Sequence, residues 1–167
     1  LDNKVKLFSS NQSKVDEINI ESTNKSCFPN KQLHKKLKAT SDKSDMLDAD
    51  IVFIALPSRV VITYLKDLKS YFREGVLLVN LSKGLLEGGV TIVESIKKDL
   101  QIDNVVSLKG PSFAVDVMEH VDTLLTLGYS RRNQYQMISS IIKNTAIHID
   151  CTTDVRGVEL LSVLKNI

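Results

Sequence analysis

Short apolar runs alternate with longer amphipathic stretches along most of the chain. The clearest run is Ile51–Val52–Phe53–Ile54–Ala55–Leu56, in which no polar residue alternates. That pattern predicts a strand buried on both faces, as parallel strands of α/β sheets are. Val76–Leu77–Leu78–Val79 repeats it, and Val105–Val106–Ser107–Leu108 and Leu124–Leu125–Thr126–Leu127 do so more weakly. Ala146–Ile147–His148–Ile149 and the opening Val5–Lys6–Leu7–Phe8 complete the set of predicted strands. Between them, Val60, Val61, Tyr64, Leu65 and Leu68 fall at helical spacing, as do Ile92, Val93, Ile96 and Leu100. Met137, Ile138, Ile141 and Ile142 mark a third helix over 134–143. Strands alternating with helices imply crossover units and a largely parallel sheet.

No internal repeat, low-complexity tract or Pro/Gly-rich linker interrupts the pattern before Asp150. Beyond it, Asp154 is placed to cap a helix that starts Val155–Arg156–Gly157–Val158–Glu159 and runs, still apolar, to Ile167. A mostly apolar helix with no stop signal belongs to something larger, so the chain is expected to continue past this point.

In open parallel sheets, ligands gather at the carboxyl ends of the strands. The residues there are Ser9–Ser10–Asn11, Pro57–Ser58–Arg59, Ser82–Lys83–Gly84 and Gly110–Pro111–Ser112. Gly110–Pro111–Ser112, with a helix expected from Phe113, offers amides and a hydroxyl suited to an oxyanion. Lys83 would add a cation at the same edge. Each loop also has an ordinary reading, since α/β turns carry such residues without any ligand. Lys165 shares a helical face with Val158 and Leu161. On that stripe it either snorkels to water or is held partly desolvated, which lowers its pKa and suits proton transfer.

Composition narrows the class without naming the chemistry. The 167 residues suffice for one domain with a real core, and 43% apolar with 25% charged residues is ordinary for a globular protein. A net charge of +2, from scattered basic residues, argues against nucleic-acid and membrane-surface partners. Cys27 and Cys151 form neither a disulfide framework nor a CxxC pair and are expected to be free thiols. No apolar run reaches membrane-spanning length and Leu1–Asp2–Asn3–Lys4 lacks a signal-peptide core, so a cytoplasmic location is expected. The seven glycines contain no G-x-G-x-x-G, and His34, His120 and His148 show no metal-ligand spacing. The residues by themselves therefore describe an α/β domain with an oxyanion-friendly edge.

Taken in order, the strand-end loops resemble the NAD(P)-dependent glycerol-3-phosphate dehydrogenases. The resemblance runs from Lys4–Val5–Lys6–Leu7–Phe8 through Ile18–Asn19, Phe28–Pro29 and Leu37–Lys38–Ala39–Thr40–Ser41–Asp42 to the stretch from Ala49 to Ser58. It continues with Ser82–Lys83–Gly84–Leu85, Lys109–Gly110–Pro111–Ser112–Phe113–Ala114 and Asp154–Val155–Arg156–Gly157–Val158–Glu159–Leu160, and ends on Leu164–Lys165–Asn166. Single pieces are weak; these pieces in this order are specific.

The resemblance implies a Rossmann-like, doubly wound, largely parallel sheet over 1–150 that binds NAD or NADP, incomplete at its N-terminus. Residues 151–167 would begin an all-α substrate-binding domain. It implies hydride transfer interconverting dihydroxyacetone phosphate and sn-glycerol 3-phosphate for glycerophospholipid synthesis. Lys165 matches the family's active-site lysine, which would donate a proton to the carbonyl oxygen, and this favours catalysis there over snorkelling. Lys83 matches a lysine touching both substrate and cofactor, Gly110 and Ser112 match substrate contacts, and Ala114 matches a cofactor contact. Ser10 falls where the family recognises the adenosine ribose. With neither a basic nor an acidic residue in Ser9–Ser10–Asn11, the choice between NAD and NADP stays open, although Lys14 is close enough in sequence to add charge. The family's first strand and glycine-rich loop, and its helical domain after Lys165, have no counterpart in these residues, so a partial chain is expected. The resemblance allows for a homodimer. Two other readings compete with the enzyme: a non-catalytic nucleotide- or phosphate-binding module, and a related two-domain dehydrogenase acting on a hydroxy acid or ketopantoate.

Overall fold

The structure is a computed structural model and describes residues 3–112 and 114–164. Contacts divide the chain into two compact units, residues 1–48 and 49–167. In the first unit β1 (Lys6–Phe8) pairs in parallel with β2 (Lys38–Thr40). Between them, α1 (Gln12–Glu21) starts at Asn11, whose side chain accepts from the Lys14 amide, and ends at Ser22 in the left-handed region. Its Val15 and Ile18 pack on Ala39, with Leu7 and Leu33 beside them. Asn19 completes the join. Its side-chain amide donates to the Ala39 carbonyl and accepts from the Ala39 N–H, both at 2.9 Å, and so takes the place of a neighbouring strand at β2.

The second unit is a five-stranded sheet in the order β3 (Ile51–Ile54), β4 (Leu77–Asn80), β5 (Val105–Lys109), β6 (Thr123–Gly128), β7 (Ile147–Thr152). The first three strands are parallel, through α2 (Ser58–Leu68) and α3 (Ile92–Leu100). A capping box starts α3: the Thr91 side chain accepts from the Glu94 amide and Glu94 accepts from the Thr91 amide. The sheet is thus largely parallel, with one exception. β6 runs antiparallel to β5, and β7 then returns parallel to β6 through α5 (Arg132–Ile142). The reversal has a physical reason: the connection over 110–122 holds only the five-residue α4 (Ala114–Met118), too little helix for a crossover back to the start of the sheet. The helix expected from Phe113 is described only from Ala114, Phe113 itself lying outside the described residues.

Helices cover both faces. On one, Leu78 and Val105 pack with Val61 and Leu65 of α2 and with Ile92, Ile96 and Leu100 of α3. On the other, Leu77, Val79, Val106, Leu108 and Leu127 pack with Ile138 of α5. Each of these side chains contributes about 1.5–3 kcal/mol on burial. The final described helix, α6 (Val155–Leu164), is capped as expected: the Asp154 carboxylate accepts from the Gly157 N–H at 2.8 Å. It lies against β5 and β6 on the α2–α3 face, with Val155 packed on that core. Gly128 makes this approach possible, since a Cβ there would stand 2.9 Å from the Val155 Cα.

Candidate functional site

The carboxyl ends of β3, β4 and β5 lie along one edge of the second unit's sheet, and side chains stitch their loops together. Ser82 Oγ accepts from the Leu56 N–H at 3.2 Å and donates to the Ile54 carbonyl at 3.4 Å, tying the ends of β3 and β4. Gly84 adopts a φ of +130°, and a Cβ there would sit 2.6 Å from Ser58 Oγ, so this loop needs glycine on two counts. Across the next gap Lys83 Nζ donates to the Gly110 carbonyl at 3.5 Å. Gly110 is itself pressed on β6: a Cβ there would meet the Leu124 carbonyl oxygen at 2.7 Å and Leu125 Cδ2 at 2.6 Å. Lys83 and Gly110, singled out separately in the sequence, are thus brought together.

The other expected site residues fall as follows. Ser112 is half-buried just after Gly110, and Ala114 is exposed as the first residue of α4. Ser10 is exposed between the end of β1 and the cap of α1, with Lys14 on the first turn of that helix. Ser10 and Lys14 belong to the first unit, and Lys83, Gly110, Ser112 and Ala114 to the second. Lys165 lies outside the described residues, one position past the end of α6. On its expected stripe, Val158 is buried, whereas Leu161 is 68% exposed.

Directly beneath the Lys83–Gly110 contact is a buried polar cluster that the sequence reading did not single out. Register places Ile54, Asn80, Ser107 and Gly128 in one row across the sheet. Asn80 and Ser107 therefore project from the face that α6 covers, together with Lys109 two residues along β5. Into this row α6 inserts Glu159, only 2% exposed. Its Oε1 accepts from the Asn80 side-chain amide and from Ser107 Oγ at 2.8 Å, and its Oε2 accepts from the Val93 N–H at 2.9 Å. Lys109, 5% exposed, holds its Nζ 3.6 Å from Oε1 and donates to the carbonyls of Asn80 at 3.0 Å and Ser82 at 2.5 Å. Burial pushes the Lys109 ammonium down to about 8, against the attraction of Glu159 and with help from the nearby Lys83 cation. The cluster is fully satisfied: among the described residues no buried side-chain nitrogen or oxygen lacks a partner. A sequence signal for it existed. Ser107 and Lys109 alternate as polar positions in an otherwise apolar strand, and Glu159 is the one acid of a mostly apolar helix over Val155–Leu164.

The half-buried Lys83 ammonium and the small residues beside it at this edge are groups of the kind that suit an anion. Two shallow surface hollows, lined by residues such as Gly88, Lys97, Lys98 and Arg156, include none of the strand-end residues named above. Among the described residues, no group of His, Cys, Asp or Glu could hold a metal ion, and no helix is long and apolar enough to cross a membrane. Cys27 and Cys151 are exposed free thiols.

Comparison with known proteins agrees with this architecture. The chain is 33% identical over 172 residues to glycerol-3-phosphate dehydrogenase [NAD(P)+] of Latilactobacillus sakei, covering 98% of this chain and 50% of that protein. It is 28% identical over 171 residues to the enzyme of the same name from Mesoplasma florum, covering 99% of this chain and 51% of that one. The chain spans about half the length of these relatives. Among solved structures, glycerol-3-phosphate dehydrogenase of Coxiella burnetii superposes with a TM-score of 0.85 at 24% identity, covering 95% of this chain and 49% of that one. The Plasmodium falciparum enzyme superposes with a TM-score of 0.88 at 21% identity, covering 99% and 48%. These structures share the Rossmann-like fold. Residues 2–135 match the family described as NAD-dependent glycerol-3-phosphate dehydrogenase N-terminus, and the chain belongs to that family.

Proposed function

We propose that this chain forms the nucleotide-binding part of a glycerol-3-phosphate dehydrogenase that interconverts dihydroxyacetone phosphate and sn-glycerol 3-phosphate with NAD or NADP, for glycerophospholipid synthesis. Residues 1–150 serve the cofactor, and 151–167 open the helical substrate-binding part. The observation that carries this reading is the Lys83–Gly110 contact at the carboxyl edge of the sheet, in a chain of this family. A lysine ammonium beside small residues and a half-buried hydroxyl is a donor set that fits the anionic phosphates of both cofactor and substrate. When bound, the nicotinamide supplies or accepts the hydride.

The chain's own residues bind, orient and move the proton. Lys83 contacts substrate and cofactor and polarises the triose carbonyl. Gly110 and Ser112 line the substrate, and Ala114, whose exposed methyl leaves room beside it, contacts the cofactor. Ser10 takes the adenosine ribose, where an uncharged residue leaves either NAD or NADP acceptable. Lys165 donates the proton to the substrate oxygen in reduction and removes it in oxidation. The partners are this small phosphorylated substrate and, in assembly, a second copy of the protein. Neither nucleic acid nor membrane is a partner, and the location is the cytoplasm.

The test is the oxidation of NADH and NADPH by the protein at its gene-encoded length, given dihydroxyacetone phosphate. Lys165→Ala is expected to lower kcat by about 10²–10⁴-fold, and Lys83→Ala by about 10²–10³-fold. Turnover near wild type in Lys165→Ala would remove the proton-transfer role. Binding of NADH without any turnover would favour a non-catalytic nucleotide-binding module instead.

A further inference from the structure

Two lysines cross at the carboxyl edge of the sheet, each reaching into the other's strand end. Lys83, after β4, donates to the Gly110 carbonyl after β5. Lys109, the last residue of β5, donates to the Asn80 and Ser82 carbonyls at the end of β4. We propose that Lys109 is a positioning residue: its ammonium ties the end of β4 to the end of β5 and, through Glu159, to α6, and so fixes where Lys83 presents its charge to a substrate oxyanion. This rests on the reading that the edge takes a phosphorylated triose.

The geometry favours positioning over simple stabilisation. Ser82 lies beyond Asn80↔Ser107, the last β4–β5 pair, so the sheet ladder does not hold it against β5. Lys109 supplies that hold, and Ser82 is the immediate neighbour of Lys83. The same Glu159 oxygen that faces Lys109 accepts from Asn80 and Ser107, so one carboxylate sets the depth of α6 against both strands. Lys165 follows directly from the end of that helix. Buried ion pairs are poor sources of net stability, and well-packed apolar residues in their place do as well or better. A positional role accounts for a lysine where the strand could have carried an apolar side chain. The ionisable groups that face Lys109 are Glu159 from α6 and Lys83 from the loop after β4. Loss of the Lys109 proton near pH 8 removes the charge from the clasp, so the function it supports declines above that pH.

The test compares wild type, Lys109→Met and Lys109→Arg at gene-encoded length, by steady-state kinetics across pH and by hydrogen exchange. Lys109→Met is expected to lower kcat/KM for dihydroxyacetone phosphate at least about tenfold while KM for the nucleotide moves less than about twofold. Amide exchange at 82–84 should quicken about tenfold, with exchange in β4 and α3 unchanged. The wild-type pH profile should bend near pH 8. Lys109→Arg, which cannot lose its charge in this range, should keep the rate above that bend. A lysine that only stabilises the fold would leave the bend in place. Wild-type kinetics, bend and exchange in Lys109→Met would overturn the proposal. If the wild type turns over no triose phosphate, the functional reading fails, and exchange at 82–84 still decides the clasp: faster exchange in Lys109→Met supports it, and unchanged exchange overturns it. Should Lys109→Arg fail to fold, the Lys109→Met comparison decides.

Discussion

Removing Glu159 should cost far more stability than removing Lys109, although the two face each other in one buried pair. Glu159→Ala takes away the acceptor for three donors, the Asn80 amide, the Ser107 hydroxyl and the Val93 N–H, and strands the Lys109 ammonium in the interior. Breaking a buried pair from one side costs about 3–5 kcal/mol, a large part of the roughly 5–15 kcal/mol that holds a domain folded. Lys109→Met is different. The fall of its ammonium from 10.5 to about 8 means that burial opposes the charge more than Glu159 favours it, by about 3 kcal/mol. Methionine removes that penalty, and the carboxylate left behind keeps its three donors. What is lost is the hold on two carbonyls, at about 1–3 kcal/mol for each group left unpaired. Glu159→Ala should therefore exceed Lys109→Met, by about 3 kcal/mol at the middle of these ranges, and the double substitution should cost less than the sum of the singles. Urea unfolding at pH 7, followed by circular dichroism, measures all four proteins. Equal losses, or a larger loss for Lys109→Met, would refute the assignment of Glu159 as the hub of the cluster.

Other perturbations test other parts of the structure. Gly110→Ala drives a methyl into the Leu124 carbonyl and the Leu125 side chain, and should lower stability by about 1–3 kcal/mol in the same urea assay. Thr91→Ala deletes the cap of α3 and should cost about 1 kcal/mol, read as a shift of the unfolding midpoint. Hydrogen bonds from the Thr91 amide and hydroxyl hold the Glu94 carboxyl below the usual range. Its contribution is present above the ordinary glutamate pKa and is lost as pH falls through the lowered one, so the wild-type advantage over Thr91→Ala should shrink in acid. For Lys109 the sign reverses. Between pH 8 and 10.5 the unfolded chain binds more protons at this residue than the folded one, so wild type should gain stability relative to Lys109→Met as pH rises through that window.

The interior strand β4 was legible because burial on two faces leaves a mark in sequence: Leu77–Asn80 is buried throughout. The apolar run Ile51–Ile54, by contrast, ends the five-strand order and buries only Ile54, with Phe53 44% exposed, so its expected burial on both faces does not hold. β2 left no such mark. It has three residues, Lys38, Ala39 and Thr40, of which only Ala39 is buried, and its edge is completed by the Asn19 side chain, a tertiary contact. α1 was equally faint, since it turns only Val15 and Ile18 inward. The direction of β6 was not legible either, because Leu124 to Leu127 reads the same in a parallel or an antiparallel ladder. The cross between Lys83 and Gly110 joins residues 27 apart, and their nearness depends on the order of strands. Lys109 and Glu159 broke the apolar pattern at buried positions, and such breaks fall where function or strain overrides local rules.

That exception shapes how the edge would behave. A sheet built for stability alone would carry apolar side chains at Asn80, Ser107 and Lys109, facing an apolar α6. Here the row is polar, every member is paired, and its single acid arrives from the helix that leads to Lys165. The arrangement makes α6 register-sensitive. A one-residue slip turns a helix by about 100°, which would swing Glu159 away from Ser107 and leave Lys109 without its counter-charge, whereas an apolar contact would tolerate the slip. Stability and activity should then part company in alkali: loss of the Lys109 proton removes a buried charge, which steadies the fold, and slackens the clasp on Ser82, which frees Lys83 to wander. A protein whose unfolding midpoint rises while its kcat/KM falls through the same ionisation would carry the signature of a group retained for position at the expense of stability.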